Sequence, residues 1–280
     1  MKNKILVLGA TGNIGRPLVE NLLARGEQVK AASRSGQDVL GAEGVVFDYF
    51  KPESFEQAFE DVNRAYIMLA AGYVQAKDLL IPLIEFAASR NIKVVLQTAF
   101  GVDADDAIPY RQVELALIQS GTPYVILRPN WFADNFHTFW KAGIDHGQLA
   151  IPAGDGKSSF IDVRDIAESA AAALRTEQFD GQAFNLTGPE AFSYAEAAQL
   201  LTEVIGKPIS YNAIDDDTFI DMLTSAGVPA DYAVFLSSIF YPVRQGWTSV
   251  ITDDVATLTG KPPRSLKTYA QDHRQQLANS

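Results

Sequence analysis

The stretch KILVLGATGNIG, residues 4–15, is the part of the sequence from which the fold is read. Its apolar run ILVL reads as a buried strand, and glycines follow at positions 9, 12 and 15. Ile14, Leu18, Val19, Leu22 and Leu23 then recur at helical spacing, with Pro17 in the first turn and Gly26 as a stop. A strand, a glycine turn and a helix in that order form the setting of a dinucleotide-binding turn. Glycines let the backbone turn tightly and come close to a pyrophosphate, and the helix N-terminus favours its charge. The spacing GxxGxxG is one residue longer in its first gap than the usual fingerprint, which leaves that physics unchanged.

Outward from this turn, short apolar runs alternate with helical patterns. QVKAAS (28–33), GVVFD (44–48), RAYIMLAA (64–71), KVVLQTA (93–99) and PYVILRP (123–129) read as strands apolar on both faces. Helical patterns run through 54–59, 78–89 and 110–120. This order predicts an α/β fold: a Rossmann-type, doubly wound parallel sheet with its ligand at the carboxyl ends of the strands. Beyond residue 130 the alternation weakens. Phe132, Phe136, Phe139 and Trp140 form an aromatic stripe, Phe160–Val163 reads as a short strand, and Asp165–Arg175 reads as an Ala-rich helix. Helices over Tyr194–Ile205, 216–225 and 230–240, with a strand at Ile209–Asn212, predict a small, mainly helical C-terminal substrate lobe. The expected division is 1–188 for the dinucleotide domain and 189–280 for the lobe, with segments around 130–160 contributing to the cleft.

Composition narrows the function. The 280 residues carry 23 Lys and Arg against 34 Asp and Glu, a formal net charge of −11. That balance argues against nucleic acid and against an anionic membrane surface as partners. The sequence has no cysteine, so thiolate catalysis and Cys-ligated metal are excluded. His137, His146 and His273 are scattered along the chain, so no metal site is expected. No run approaches the roughly 20 apolar residues of a membrane span, and a soluble, cytoplasmic protein, monomer or homodimer, is expected.

The strand ends supply the candidate cofactor contacts. Gly9, Thr11, Gly12, Asn13, Ile14 and Gly15 form the turn, and Ser33, Arg34, Asp48, Leu69, Ala70 and Thr98 follow later strands. After the second strand an NAD site usually carries an acidic residue; here stand Ser33-Arg34-Ser35. A planar cation between two hydroxyls suits a 2′-phosphate, so NADPH is expected over NADH, the alternative being a solvated loop cation. Asp48 either accepts from the adenine amino group or caps the helix after Pro52. Asp215-Asp216-Asp217 reads as a helix start.

Together GATGNIG, Arg34, LRPNWFADNF (127–136), FIDVRDIA (160–167) and AFNLTGPEAFSYAEAA (183–198) resemble the NmrA-like group of atypical short-chain dehydrogenases/reductases. The resemblance covers nearly the whole chain. It implies kinship with NADPH:quinone oxidoreductases, triphenylmethane-dye reductases and azoreductases, and with a fungal nitrogen regulator that binds dinucleotide without turning it over. Catalytic members of the wider superfamily carry Tyr-x-x-x-Lys, whose Lys lowers the Tyr pKa for proton transfer. The similar place here is Tyr110-Arg111-Gln112-Val113-Glu114, and a carboxylate would raise a phenol's pKa. Ala99 stands where the superfamily has a serine, with Thr98 beside it. Tyr110 is therefore a catalytic candidate that lacks the usual partner. Hydride transfer to a quinone, azo bond or dye instead needs a flat acceptor held against the nicotinamide, with water supplying the proton. Phe100, Trp131, Phe136 and Phe240 are candidate acceptor contacts, the alternative for each being core packing. The expected function is NADPH-dependent reduction of a small aromatic or quinone-like substrate, without flavin or metal. The alternative is a non-catalytic NADP(H)-binding redox sensor.

Overall fold

The computed structural model describes residues 4–278. In chain order the strands are β1 (Lys4–Leu8), β2 (Gln28–Ser33), β3 (Glu43–Val46), β4 (Arg64–Ile67), β5 (Lys93–Gln97), β6 (Tyr124–Pro129), β7 (Gln148–Ile151), β8 (Lys157–Ser158), β9 (Gln182–Leu186), β10 (Phe192–Ser193) and β11 (Ser210–Ala213). The first helices are α1 (Gly15–Ala24), α2 (Glu53–Phe59), α3 (Ala76–Ser89), α4 (Pro109–Gln119), α5 (Lys141–Asp145), α6 (Val163–Arg175) and α7 (Tyr194–Ile205). After them come α8 (Asp216–Ser225), α9 (Ala230–Ser238), α10 (Tyr241–Arg244), α11 (Asp254–Thr259), α12 (Leu266–Asp272) and α13 (Arg274–Ala278).

The chain divides into two compact units. The first comprises the described residues up to Pro129, with Val163–Leu186 and Asp254–Lys261. Its seven strands run in the order β3-β2-β1-β4-β5-β6-β9, and every neighbouring pair is parallel. Ile5, Leu6, Val7 and Leu8 have no exposed surface, because helices cover both faces of β1. Leu18, Val19 and Leu22 are the buried face of α1, each worth about 1.5–3 kcal/mol of apolar burial. Phe55, Leu79, Leu80, Leu83, Ile84, Val113 and Leu117 bring α2, α3 and α4 onto the sheet in one apolar cluster. The chain leaves β1 toward β2 and β3 on one side and returns to β4 on the other. That reversal places the ligand-binding crevice of such a sheet at the carboxyl end of β1.

The second unit comprises Asn130–Asp162, Thr187–Asp253 and the chain from Pro262 onward. It is mainly helical, with β7 parallel to β11 and β8 antiparallel to β10. Its core gathers Phe136, Phe160, Tyr194, Phe219, Phe240 and Tyr269 with Leu201 and Ile205. Ser193 and Glu196 form a reciprocal capping box at the start of α7, and Asp215 caps α8 by accepting from the Thr218 N–H at 2.7 Å.

Several expectations change in detail. The single boundary at 188/189 differs from this interleaved division, because Asn130–Asp162 belongs with the second unit and α11 with the first. The strand β9 was not foreseen: it lies at the sheet edge, and its first two residues are exposed. Phe160–Val163 is no strand, because Ile161 makes a single parallel bridge to Phe132 and Val163 already begins α6. The aromatic stripe is not one helix either. A 3₁₀ turn over Ala133–His137 ends at Thr138, which leaves Phe136 buried and Phe139 exposed. The short β7, β8 and β10 and the helices after residue 240 lack enough periodicity to be read from sequence.

Candidate functional site

The turn after β1 is built by its glycines. Gly9 takes φ +65°, a left-handed conformation, and its carbonyl accepts the Gly12 N–H at 2.9 Å. A Cβ on Gly15 would stand 2.1 Å from the Gly9 oxygen, so only glycine lets α1 start this close to the strand. Ile14 is the N-cap of α1 and no side chain caps it, nor does an acidic residue stand in the first turn. Thr11, Gly12 and Asn13 are exposed, whereas Ile14 and Gly15 are buried. An uncapped helix start behind an exposed glycine turn is suited to an anion.

At the end of β2, Ser33 turns the chain: its Oγ accepts the Gly36 N–H at 3.1 Å and its carbonyl accepts the Phe47 N–H at 2.9 Å. Arg34 is exposed and makes no hydrogen bond or ion pair among the described residues. The glycine turn and the Arg34 guanidinium one strand away both offer donors to an anion. After β3, Asp48 is half-buried, and its Oδ1 accepts the Phe50 N–H at 3.0 Å. It does not cap α2, whose N-cap Pro52 has no side-chain partner. After β4, Leu69 is buried and Ala70 half-buried. The Tyr49 hydroxyl donates to the Met68 carbonyl, and burial, with Tyr110 and Tyr73 nearby, pushes that phenol well above its ordinary range. Tyr49 is therefore a neutral donor that ties the segment after β3 to the segment after β4.

The ends of β5 and β6 carry a buried ion network that sequence reasoning missed. Glu114 is 0% exposed. It accepts from the Thr98 hydroxyl at 2.7 Å, from Arg128 Nε at 2.9 Å and Nη2 at 2.8 Å, and from Arg111 Nη1 at 3.0 Å. Arg128 Nη1 also donates to Asp103 at 2.6 Å, and Arg111 Nε donates to Asp106 at 2.9 Å. The Thr98 hydroxyl is thus committed to Glu114 and is not directed at a ligand, leaving only its backbone for that purpose. Tyr110 is half-buried in the first turn of α4, packed on the apolar cluster of the sheet, with Glu114 one turn further on. The Glu114 carboxylate is held by the guanidinium groups of Arg128 and Arg111.

Phe100 follows β5, half-buried, and its N–H donates to the Pro129 carbonyl at 3.0 Å. The other expected acceptor contacts lie in the second unit. Trp131 is half-buried against Phe240 at 4.7 Å and stacks on Trp140 at 5.8 Å. Phe136 and Phe240 are 0% and 2% exposed, which corrects their expected role: both rings are consumed by the aromatic core. Tyr241 and Trp247, edge to face at 5.8 Å, are the half-exposed aromatics there. Asn130 is a further structural residue. Its Nδ2 donates to Ser159 Oγ at 2.7 Å and to the Thr248 carbonyl at 2.8 Å, and its Oδ1 accepts the Trp131 N–H. The signal for it was its place directly after the strand ending Arg128-Pro129.

His137 and His273, far apart in sequence, stack at 4.8 Å, and His137 Nδ1 shares a hydrogen bond with the Tyr269 hydroxyl. Burial, then the neighbouring His273, pulls His137 down to about 4, against an opposing pull from Asp162. No cluster of three or more potential metal ligands occurs among the described residues. Nor is any helix among them long and apolar enough to cross a membrane.

Known proteins align with this chain along almost its whole length. The uncharacterized oxidoreductase YesF of Bacillus subtilis (strain 168) is 31% identical over 274 residues, covering 97% of this chain and 96% of that protein. The NAD(P)H azoreductase of Xenophilus azovorans is 29% identical over 280 residues, covering 96% and 97%. The crystal structure of the Escherichia coli NADPH-dependent quinone oxidoreductase QOR2 with NADPH shares the fold, with a TM-score of 0.83 at 23% identity over 96% of this chain and 99% of that one. The NmrA-like family profile matches residues 1–245, and with YesF aligned along almost its whole length this chain belongs to the NmrA-like family.

Proposed function

We propose that this protein is an NADPH-dependent reductase of flat, electron-poor acceptors of the quinone, azo or dye type. The observation that carries the reading is the uncapped glycine turn at Gly9–Gly15 with the unpartnered Arg34 at the end of the next strand. The names of the azoreductase and quinone oxidoreductase relatives support the reaction class. NADPH, when bound, supplies a hydride. The N–H groups of Thr11, Asn13, Ile14 and Gly15 receive the pyrophosphate, the Gly12 N–H being held by the Gly9 carbonyl, and Arg34 with Ser33 and Ser35 receives the 2′-phosphate. Asp48 retains an oxygen for the adenine amino group. Leu69, Ala70 and the Thr98 backbone flank the nicotinamide half at the ends of β4 and β5. Among the expected acceptor contacts, Phe100 of the first unit and Trp131 of the second each keep exposed surface. Water supplies the proton, because the Lys that would prepare Tyr110 is replaced by Glu114, whose charge is already taken up by arginine.

The test is direct. Purified protein is mixed with NADPH and a panel of quinones, azo dyes and triphenylmethane dyes, and the nicotinamide absorbance is followed. Acceptor-dependent oxidation is expected. Tight NADPH binding with no oxidation across the panel would sink the reductase reading and select a dinucleotide-sensing protein, which the Glu114 substitution favours.

A further inference from the structure

One carboxylate joins three elements at the carboxyl edge of the sheet. Glu114 on α4 accepts from Thr98, just past β5, and takes two bonds from Arg128, the penultimate residue of β6. The same edge is continued past the strands by backbone bonds, with Thr98 N–H to the Leu127 carbonyl at 2.9 Å and Phe100 N–H to the Pro129 carbonyl at 3.0 Å. In a doubly wound sheet the second mononucleotide half lies over the strands beyond the switch point, here β4, β5 and β6. The backbone that Glu114 fixes is therefore the backbone over which the nicotinamide half would lie. A fully buried carboxylate with four donors is rigid, because moving any partner leaves a charge uncompensated.

We propose that Glu114 is a positioning residue for hydride transfer. Through Thr98 and Arg128 it holds the segment Thr98–Phe100 at the distance hydride transfer requires. The inference rests on the reductase reading. Its consequence is a split between binding and chemistry: misplacing this segment slows the hydride step and leaves the pyrophosphate and 2′-phosphate contacts of the β1 and β2 ends untouched. An error of about 1 Å in such placement can cost up to a hundredfold in rate.

The experiment compares Thr98→Val, Glu114→Gln and, as a control, Asp106→Asn, which removes only the exposed outer partner of Arg111. Thr98→Val deletes one donor and keeps all three guanidinium bonds, so it stays folded even where Glu114→Gln does not. Three readouts are taken: NADPH affinity by fluorescence, single-turnover hydride transfer to a benzoquinone using NADPH deuterated at the nicotinamide C4, and amide hydrogen exchange of the ligand-free protein. For Thr98→Val the expected result is NADPH affinity within about twofold of the parent and hydride transfer slower by roughly tenfold or more. The isotope effect should be larger, and exchange at Phe100 faster with Ala10 and Gly12 unchanged. Asp106→Asn should match the parent throughout. Parent-like hydride transfer in Thr98→Val overturns the proposal. A parent protein that oxidises no NADPH sinks the reductase reading instead. The exchange data then decide alone: parent-like exchange at Phe100 in Thr98→Val overturns the positioning role, and faster exchange upholds it.

Discussion

At the scale of single residues, Arg34 is where the specificity prediction belongs. It is exposed, and among the described residues no neighbour competes for its guanidinium. A charge-assisted bond to a 2′-phosphate contributes about 1.5–3 kcal/mol, or roughly ten- to a hundredfold in affinity. Arg34→Ala is therefore expected to weaken NADPH by at least tenfold and NADH by less than twofold in parallel fluorescence titrations. Equal losses for both would refute the assignment. Arg34 and the three glycines were legible because each acts through a local property: a free cation after a strand, or a backbone that must turn. Thr98 and Glu114 were not legible in the same way. Thr98, past β5, and Arg128, on β6, lie 16 and 14 residues away from Glu114, and only the packed sheet brings them into bonding distance.

Between elements, the stack of His137 on His273 joins the 3₁₀ turn at Ala133–His137 to the loop between α12 and α13. Folding lowers the His137 pKa from 6.5 to about 4, so between those values the unfolded chain binds more protons than the folded one. The stabilising contribution is thus complete above about pH 6.5 and is lost as the pH falls toward about 4. Urea unfolding at pH 7, 5 and 4 should show the parent losing stability more steeply than His137→Gln. Parallel slopes would show that the stack does not couple protonation to folding. Elements themselves were read well where periodicity is long, as in α1, α3 and α7, and poorly where they span two to seven residues, as in β8, β10 and α10–α13. Short elements bury too few side chains to leave a pattern, and their existence depends on what packs beside them.

Across the whole molecule, a dinucleotide held at the glycine turn would couple binding to stability, because only the folded chain assembles Gly9, Gly15 and the start of α1. NADPH at 100 times its Kd should stabilise the protein by about 2.7 kcal/mol. A thermal midpoint that rises with NADPH concentration, and rises less with NADH at the same concentration, is the expected result; no response to either would remove the dinucleotide site itself. The sequence alone determined the parallel sheet, the glycine turn and the cation beside it. Each of those follows from residue type within a few positions, through strand hydrophobicity, glycine φ freedom or side-chain charge. Tertiary structure decided the rest. It returned β9 and α11 to the sheet from late in the chain, drew Phe136 and Phe240 into the second unit's core, and joined Glu114 to Arg128 and Thr98. Burial and ion pairing depend on which distant segments meet, and local sequence does not encode that meeting.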